Sequence, residues 1–480
     1  MLQPTTPHPA PTGSNTNTNL PQWHDMQGLV LSAYPHLGQA AYLLFRIDEV
    51  EPARNWLTRV RGRVTSAFER PPKNQHAIAP PNLNIALTAT GITALGETAK
   101  DFSDPFIEGI GGQRHRSRIL GDVDDSAPAN WLWGGEQQGR NKVDVLVMVF
   151  ADERDNLDTQ IAAVRPTSLE GMTEVRCIKA WPLSQMSGRG REHFGFTDGI
   201  SQPILEGTFD AERFPDSIHL TALGEVVLGY PNAFGVRLGE ADAYGRPTSL
   251  PWLGRLPRVD NVMGFGRNGT YLVLRQLEQD VDLFRRAVTE RTGSQAYTDP
   301  PARQLAAKIV GRWPDGTPLV PYATVDDNEF VYADDPYGGG CPIGAHVRRA
   351  NPRDALLNNG RPFRPTNEHR VLRRGRIYGP PPPPSMPAND AERGLVFLCL
   401  NADLERQFEF IQQNWINNPA FGGLADECDP LVGVCGQHGG VFTMGGLPAR
   451  QRVGLPRFVT VKGGEYFFLP GLEALRQLTL

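Results

Sequence analysis

Two stretches of the chain carry side chains able to do chemistry. The first runs CPIGAHVRRANPRDALLNNGRPFRPTNEHRVLRRGRIYG from Cys341. It sets His346 between an apolar approach, Ile343 to Ala345, and a cationic exit, Arg348, Arg349 and Arg353. An imidazole in that setting suits an anionic planar cofactor, and haem is one, because its propionates pair with arginine. An ordinary half-buried histidine in a basic loop has the same local sequence, so His346 alone decides nothing. The second stretch is HFGFTDGISQP, His193 to Pro203. Its Asp198-Gly199 pair is first of all a turn signal, and Asp198 becomes an acid/base candidate only through its context.

The elements that must position these loops read as strands and helices in alternation. AYLLFRI, from Ala41 to Ile47, is a β-like run, and the segment after it repeats Ala53, Trp56, Leu57, Val60 and Val64 at helical spacing. LNIALT alternates at Leu83, Ile85 and Leu87 and breaks at Gly91, where a short helix is expected. VDVLVMVFA and ERDNLDTQIAAVR form a second strand and helix, and EVRCIKAWPL a further strand. The pattern then returns. AYLLFRIDEVEPARNWLTRV resembles TYLVLRQLEQDVDLFRRAV from Thr270, and VDVLVMVFADERDNLDTQI resembles RGLVFLCLNADLERQFEFI, in the same order.

Two ordered copies of a βα unit predict a duplicated α+β domain with helices on one face of a sheet. The Gly- and Pro-rich region from Gly229 to Gly269 supplies the junction. The expected organisation is a disordered tail over 1–21, a first domain carrying GFTDG over 22–235, and a second domain over 236–480. The prolines from Pro380 to Pro384 read as an extended surface spacer. RFVTVKGGEYFFLPGL reads as a hairpin turning at Gly463-Gly464, followed by a short helix.

A chain of 480 residues is long enough for two or three domains with their own cores. Hydrophobic and charged contents of 40% and 21% are those of a soluble globular protein, and a net charge of -5 leaves no electrostatic footprint for nucleic acid. Five cysteines with no CxxC pair argue against a structural zinc site and a fully paired disulfide framework. A reducing compartment, the cytoplasm, is therefore expected. The N-terminal run has neither an apolar core nor a twin arginine, so no export signal is read there. The longest apolar run, Val145 to Ala151, is too short to span a bilayer, and no membrane partner is expected.

Gly195-Phe-Thr-Asp198-Gly199 matches the GxxDG motif of the dye-decolourising peroxidases. AHVRRANPR, RRGRIYG, FEFIQQNWINNPAFGG and GLPRFVTVKGGEYFFLP resemble further stretches of that family, in family order, over nearly the whole chain after residue 22. The resemblance implies two tandem ferredoxin-like α+β domains of the dimeric α+β barrel type, with one haem b per chain between the sheet and helices of the second. It implies His346 as the proximal iron ligand, Asp198 as the distal acid/base and Arg373 as the distal arginine. Arg370, Arg374 and Arg376 are rivals; Arg373 keeps its distance to Tyr378 and Gly379 of an RxxxxYG pattern. Gln202 stands where many relatives have asparagine. Arg348 and Arg349 are candidate propionate partners, and Phe397 is a candidate cofactor contact. Asp429, in ECDPLVG, is the candidate carboxylate for the second nitrogen of the ligating histidine, with Glu409 as the alternative.

The chemistry asks for these residue types. A peroxidase needs one mobile base to carry a proton between the two oxygens of hydrogen peroxide, and an aspartate can serve. It also needs a fixed positive charge where an anion develops, and arginine never loses its proton. The function expected is a haem b peroxidase that reduces hydrogen peroxide and oxidises aromatic or dye-like donors one electron at a time, through high-valent iron. The alternative is a haem-binding, haem-trafficking or iron-releasing protein with incidental peroxidase activity. Oxidation of bulky donors could start at a surface aromatic, for which Trp415 and Tyr378 are candidates, although a buried tryptophan is more often core. No GxSxG elbow supports a hydrolase. Whether the chain is a monomer or a homo-oligomer is left open.

Overall fold

The computed structural model describes residues 20–480 apart from 68–81, 98, 100–101, 113, 136–137, 183–189, 235–264, 326, 357–363, 384–390, 435–438 and 446–449. The tail expected over 1–21 therefore lies almost wholly outside the described residues. So do most of the expected junction and the end of the proline spacer.

The first strand, β1 (Gln39–Ile47), is buried on both faces from Ala40 to Phe45, which is why it reads as an unbroken apolar run rather than an alternation. Helix α1 (Val50–Arg61) buries the predicted stripe of Ala53, Trp56, Leu57 and Val60 against that strand. Strand β2 (Asn82–Leu87) ends at Thr88, whose hydroxyl accepts from Gly91 N and caps the short helix expected there. Strand β3 (Val145–Ala151), helix α2 (Arg154–Val164) and strand β4 (Met172–Ala180) complete this half. Trp56 donates its indole N–H to Val164 O at 2.7 Å, tying α1 to α2.

The second half repeats the plan. Strand β5 (Thr270–Gln279) leads into α3 (Val281–Thr292), capped by Asp280 accepting from Leu283 N. Helix α4 (Pro300–Val310) and the short helix α5 (His346–Ala350) follow, then β6 (Leu372–Arg373), β7 (Arg376–Tyr378) and β8 (Gly394–Asn401). Two π-helical segments, Leu404–Glu409 and Ile411–Ile416, stand where α2 stands in the first half, and β9 (Val459–Leu469) closes the fold.

All these strands join one antiparallel sheet in the order β7-β8-β5-β9-β2-β3-β1-β4, with β6 added beside β8. Each half has its strands in the order second, third, first, fourth. That is the ferredoxin-like arrangement. The similar segments noticed in the sequence occupy equivalent places: β1 matches β5 and β3 matches β8. The halves meet where β9 pairs with β2 at Phe468 and Leu87.

One expected element is corrected. Gly463 and Gly464 do not turn a hairpin; β9 runs straight through them, with a bulge between Val461 and Gly463. The glycines serve close approach: a Cβ on Gly463 would lie 2.4 Å from Trp133 Nε1, whose indole crosses the strand there. The short helix expected after them is present at Leu472–Gln477.

Candidate active site

Asp198 ends a tight turn. Arg191 bridges Thr197, Glu192 N donates to Phe196 O at 3.0 Å, and Asp198 N donates to Gly190 O at 3.1 Å. The turn needs a residue at φ +101°, and Gly195 supplies it. Asp198 Oδ1 accepts from Gly199 N at 2.6 Å and from Arg373 Nη1 at 2.8 Å. Burial pushes the Asp198 carboxyl up, but the charge of Arg373, the two hydrogen bonds and the charge of His346 together hold it below its ordinary value.

Arg373 comes from β6, and its backbone N donates to Gln202 Oε1 at 3.1 Å. Gln202 thus anchors the arginine from the GFTDGISQP side. The rival arginines are placed elsewhere. Arg374 donates to Leu29 O and Val30 O, and Arg376 to Leu37 O and Tyr34 O, each at 2.8 Å. Arg370 Nη1 meets His219 Nδ1 at 3.1 Å.

His346 opens α5. Its Nδ1–H donates to Asp429 Oδ2 at 2.8 Å, a carboxylate with no exposed side-chain surface. Asp429 Oδ1 in turn accepts from Leu431 N and Val432 N, both at 2.9 Å. Burial alone pushes the imidazole pKa down; the charge and hydrogen bond of Asp429 outweigh it and leave His346 above its ordinary value. Between the two candidate partners, the structure pairs the histidine with Asp429. Glu409 is taken by Arg116 and by Tyr466 Oη, which donates at 2.8 Å. Nε2 of His346 makes no hydrogen bond among the described residues.

These groups share one cavity of about 280 Å³, lined by His346, Asp198 and Arg373 together with Phe397. His346 titrates in the field of both Asp198 and Arg373, so the two sides are close. The rest of the wall is mostly apolar, with Leu277 and Leu395 from the sheet and Ile411 and Ile416 from the π-helical segments. Arg312, Arg370 and Arg457 also line it, and each has a buried Nη2 with no hydrogen-bond partner. Burial and the neighbouring charges of Arg353 and Arg373 push Arg370 down to about 9. Arg312 and Arg457 are not among the residues expected at the site, although Arg457 lies in the GLPRFVTVKGG stretch, and Arg370 is expected there only as a rival to Arg373.

Two expectations are corrected. Arg348 and Arg349 do not reach the cavity. Arg348 Nη1 donates to Asp335 O and Cys341 O, and Arg349 to Trp415 O, Asn418 O and Glu427 O. Both stitch α5 to surrounding carbonyls instead. Trp415 and Tyr378, at 4% and 5% exposed, are not surface aromatics. Cys428, next to Asp429, is disulfide-bonded, whereas Cys177, Cys341 and Cys399 are free thiols. Among the described residues, no helix is long and apolar enough to cross a membrane.

Multifunctional dye peroxidase DyP2 of Amycolatopsis sp. is 31% identical to this chain, with 95% of each protein covered. The chain belongs to the dye-decolourising peroxidases. Within that family, dye-decolorizing peroxidase msp1 of Mycetinis scorodonius is 29% identical over 82% of this chain and 75% of its own. The crystal structure of a decolorizing peroxidase from Auricularia auricula-judae shares the fold, with a TM-score of 0.77, 24% identity, and 96% and 100% of the two chains covered. A DyP-type peroxidase of Anabaena sp. does so at a TM-score of 0.75 and 24% identity, over 96% and 98%. No family model matches the sequence. As a dye-decolourising peroxidase the protein is an oxidoreductase that uses peroxide as acceptor, and members of this family are haem enzymes.

Proposed function

We propose that the cavity holds one haem b per chain, with His346 Nε2 as the iron ligand, and that Asp198 and Arg373 work on hydrogen peroxide beside it. The single observation that carries this reading is the pairing of His346–Asp429 with Asp198–Arg373 around one cavity. The residues present fit the group. A planar apolar body suits walls of leucine, isoleucine and phenylalanine, and its two carboxylates suit the buried Nη2 groups of Arg312 and Arg370, which have no acceptor among the described residues. A cluster of cations without counter-charge is costly unless an anion joins it. Asp429 fixes the imidazole proton on Nδ1, which leaves the Nε2 lone pair for a metal and raises its basicity.

Haem, when bound, supplies the iron that accepts electrons from donors singly and delivers them to peroxide. Asp198 supplies the proton movement. Its Oδ1 carries both hydrogen bonds, and Oδ2 has none among the described residues. Ionised Oδ2 takes a proton from one oxygen of hydrogen peroxide and returns it to the other, which leaves as water. Arg373 keeps its charge throughout and stabilises the negative charge that develops on the departing oxygen. The electron donor is an aromatic or dye-like molecule; dyes are what the names of the relatives carry.

The test is the purified protein and its His346→Ala variant. The wild type is expected to show a Soret band and to bleach a dye only when peroxide is present. His346→Ala is expected to fold and retain little haem. A variant with full haem and an unchanged Soret band would remove His346 as the ligand.

A further inference from the structure

The turn that ends at Asp198 is built around a second carboxyl group that the mechanism does not use. Glu192 is 8% exposed and lines the cavity, yet no cation pairs with it among the described residues. Its Oε1 accepts from Phe196 N at 2.9 Å. Its Oε2 accepts from Phe194 N at 2.9 Å and from Gln279 Nε2 at 2.6 Å. The neighbouring His193 gives it no charge, because burial pushes that imidazole down to about 4 and its Nε2 is held by Tyr378 O at 2.8 Å. Burying a carboxylate without a cation is expensive, and a hydrophobic residue at this place would avoid the cost. What the carboxylate gains is two turn amides and a side chain at the end of β5.

We infer that Glu192 is the positioning residue for Asp198: its carboxylate closes the turn through Phe194 N and Phe196 N and moors it to the sheet through Gln279. The inference rests on the reading of Asp198 as the acid/base. Phe196 is two residues from Asp198, and Thr197 N and Oγ1 both donate to Pro314 O, at 3.1 and 3.0 Å, so the segment is fixed on either side of the turn. With the amides held, Asp198 Oδ1 stays within 2.8 Å of Arg373 Nη1. No bond to peroxide is assigned to Glu192; it acts through Asp198. Gln279 is its tether.

The substitution Glu192→Gln keeps the shape and one acceptor oxygen, so an amide NH2 must face either Phe196 N or the pair on Oε2. Glu192→Gln is expected to slow the reaction with hydrogen peroxide about 10–100-fold, the order of loss that follows a small misplacement of a reacting group. The donor-oxidising half of the cycle is expected to lose less than the peroxide step, with haem content read alongside from the Soret band so that each rate is given per bound haem. Exchange of the Phe194 and Phe196 amides with deuterium, read on the peptide spanning the turn, is expected to quicken. Gln279→Leu, a milder cut that leaves both turn amides bonded, is expected to show the same pattern at smaller size.

The deciding measurement is a double-mutant cycle with Asp198→Asn. If Glu192 acts through Asp198, Glu192→Gln changes the peroxide rate less than about 2-fold in the Asp198→Asn background. Full additivity of the two losses, or equal losses in the peroxide and donor steps, overturns the positioning role. A near-wild-type rate for Asp198→Asn alone overturns instead the acid/base reading on which the inference stands.

Discussion

Asp429→Asn is expected to be more damaging than Asp429→Ala, although asparagine is the closer match in shape. The carboxylate accepts three N–H groups: Leu431 N and Val432 N on Oδ1 at 2.9 Å, and His346 Nδ1 on Oδ2 at 2.8 Å. An amide has one acceptor oxygen, so one of these two sets must meet an NH2. A buried donor left without an acceptor costs about 1–3 kcal/mol. Placing the NH2 against the two backbone amides strands two donors, and placing it against the imidazole strands one at most. The oxygen therefore stays with Leu431 and Val432, by about 1–3 kcal/mol.

The NH2 then donates to Nδ1 and drives the imidazole proton to Nε2, the nitrogen proposed to bind iron. Losing the carboxylate partner alone typically costs about 10–100-fold in metal affinity or activity. Asp429→Ala should show that loss, with its imidazole free to choose a tautomer. Asp429→Asn should exceed it, since an aspartate-to-asparagine change that imposes the wrong tautomer costs about 10⁴-fold in a Ser-His-Asp site. The assay is haem transfer to excess apomyoglobin, followed in the Soret region, with the melting temperature of each haem-free variant as the control for folding. Haem release from Asp429→Asn that is as slow as wild type, or slower than from Asp429→Ala, would refute the reasoning.

Arg373→Leu is expected to slow the peroxide reaction by about 10²–10³ and Asp198→Asn by up to about 10⁴, each with haem retained, as read by stopped-flow mixing. Asp198 must be ionised to take a proton, and its carboxyl lies below the ordinary 3.8, so the wild-type rate should hold as pH falls to about 4. In Arg373→Leu burial acts unopposed by that charge, and the acid limb should move to higher pH in the same experiment. Arg370→Leu should hasten haem transfer about 10–100-fold if its free Nη2 meets a haem carboxylate, and an unchanged rate would remove it from the site. Burial pushes Glu465 from 4.5 up to about 7, so the folded state binds the extra proton between those values and its stability falls as pH rises through that window. The melting temperature of Glu465→Gln relative to wild type should therefore be more favourable at pH 7.5 than at pH 5, whatever the constant loss from the backbone amides its NH2 leaves unmatched.

What the sequence made legible follows from distance along the chain. The buried strands and the stripe on α1 announce themselves within ten residues, because burial on two faces or on one helical face leaves a local pattern. The repeat was legible for the same reason. Asp429 was reachable as a carboxylate with a neighbouring motif, but nothing in ECDPLVG separates it from Glu409; the choice depends on Arg116 and Tyr466, far away in sequence. Arg348 and Arg349 sit beside His346 in the chain and were misread for that reason. Their acceptors are carbonyls up to 78 residues distant, which no local pattern marks. Gly463-Gly464 carries a turn signature, and only Trp133 crossing the strand explains why it stays extended. Neither the sequence around Arg312 nor the GLPRFVTVKGG stretch around Arg457 marks the arginine itself as a cavity residue: what distinguishes both is a nitrogen left without an acceptor, which is visible only in three dimensions.

The π-helical segments after β8 give the second half a property that its counterpart in the first half lacks. Each π turn holds about one residue more than an α turn, so these segments store extra residues inside a helix that remains continuous in direction. Were the segment between Leu404 and Ile416 wound in the α form of α2 with all its residues kept, each stored residue would have to be taken up along the helix. Every later position would then rotate by about 100° about the axis. Ile411, Gln412, Trp415 and Ile416, which now line the cavity, would be carried round to other faces. The second half of this duplicated fold thus depends on helical phase: the π turns keep these four side chains aimed at the cavity, and the same residues wound as a regular α-helix would turn them away.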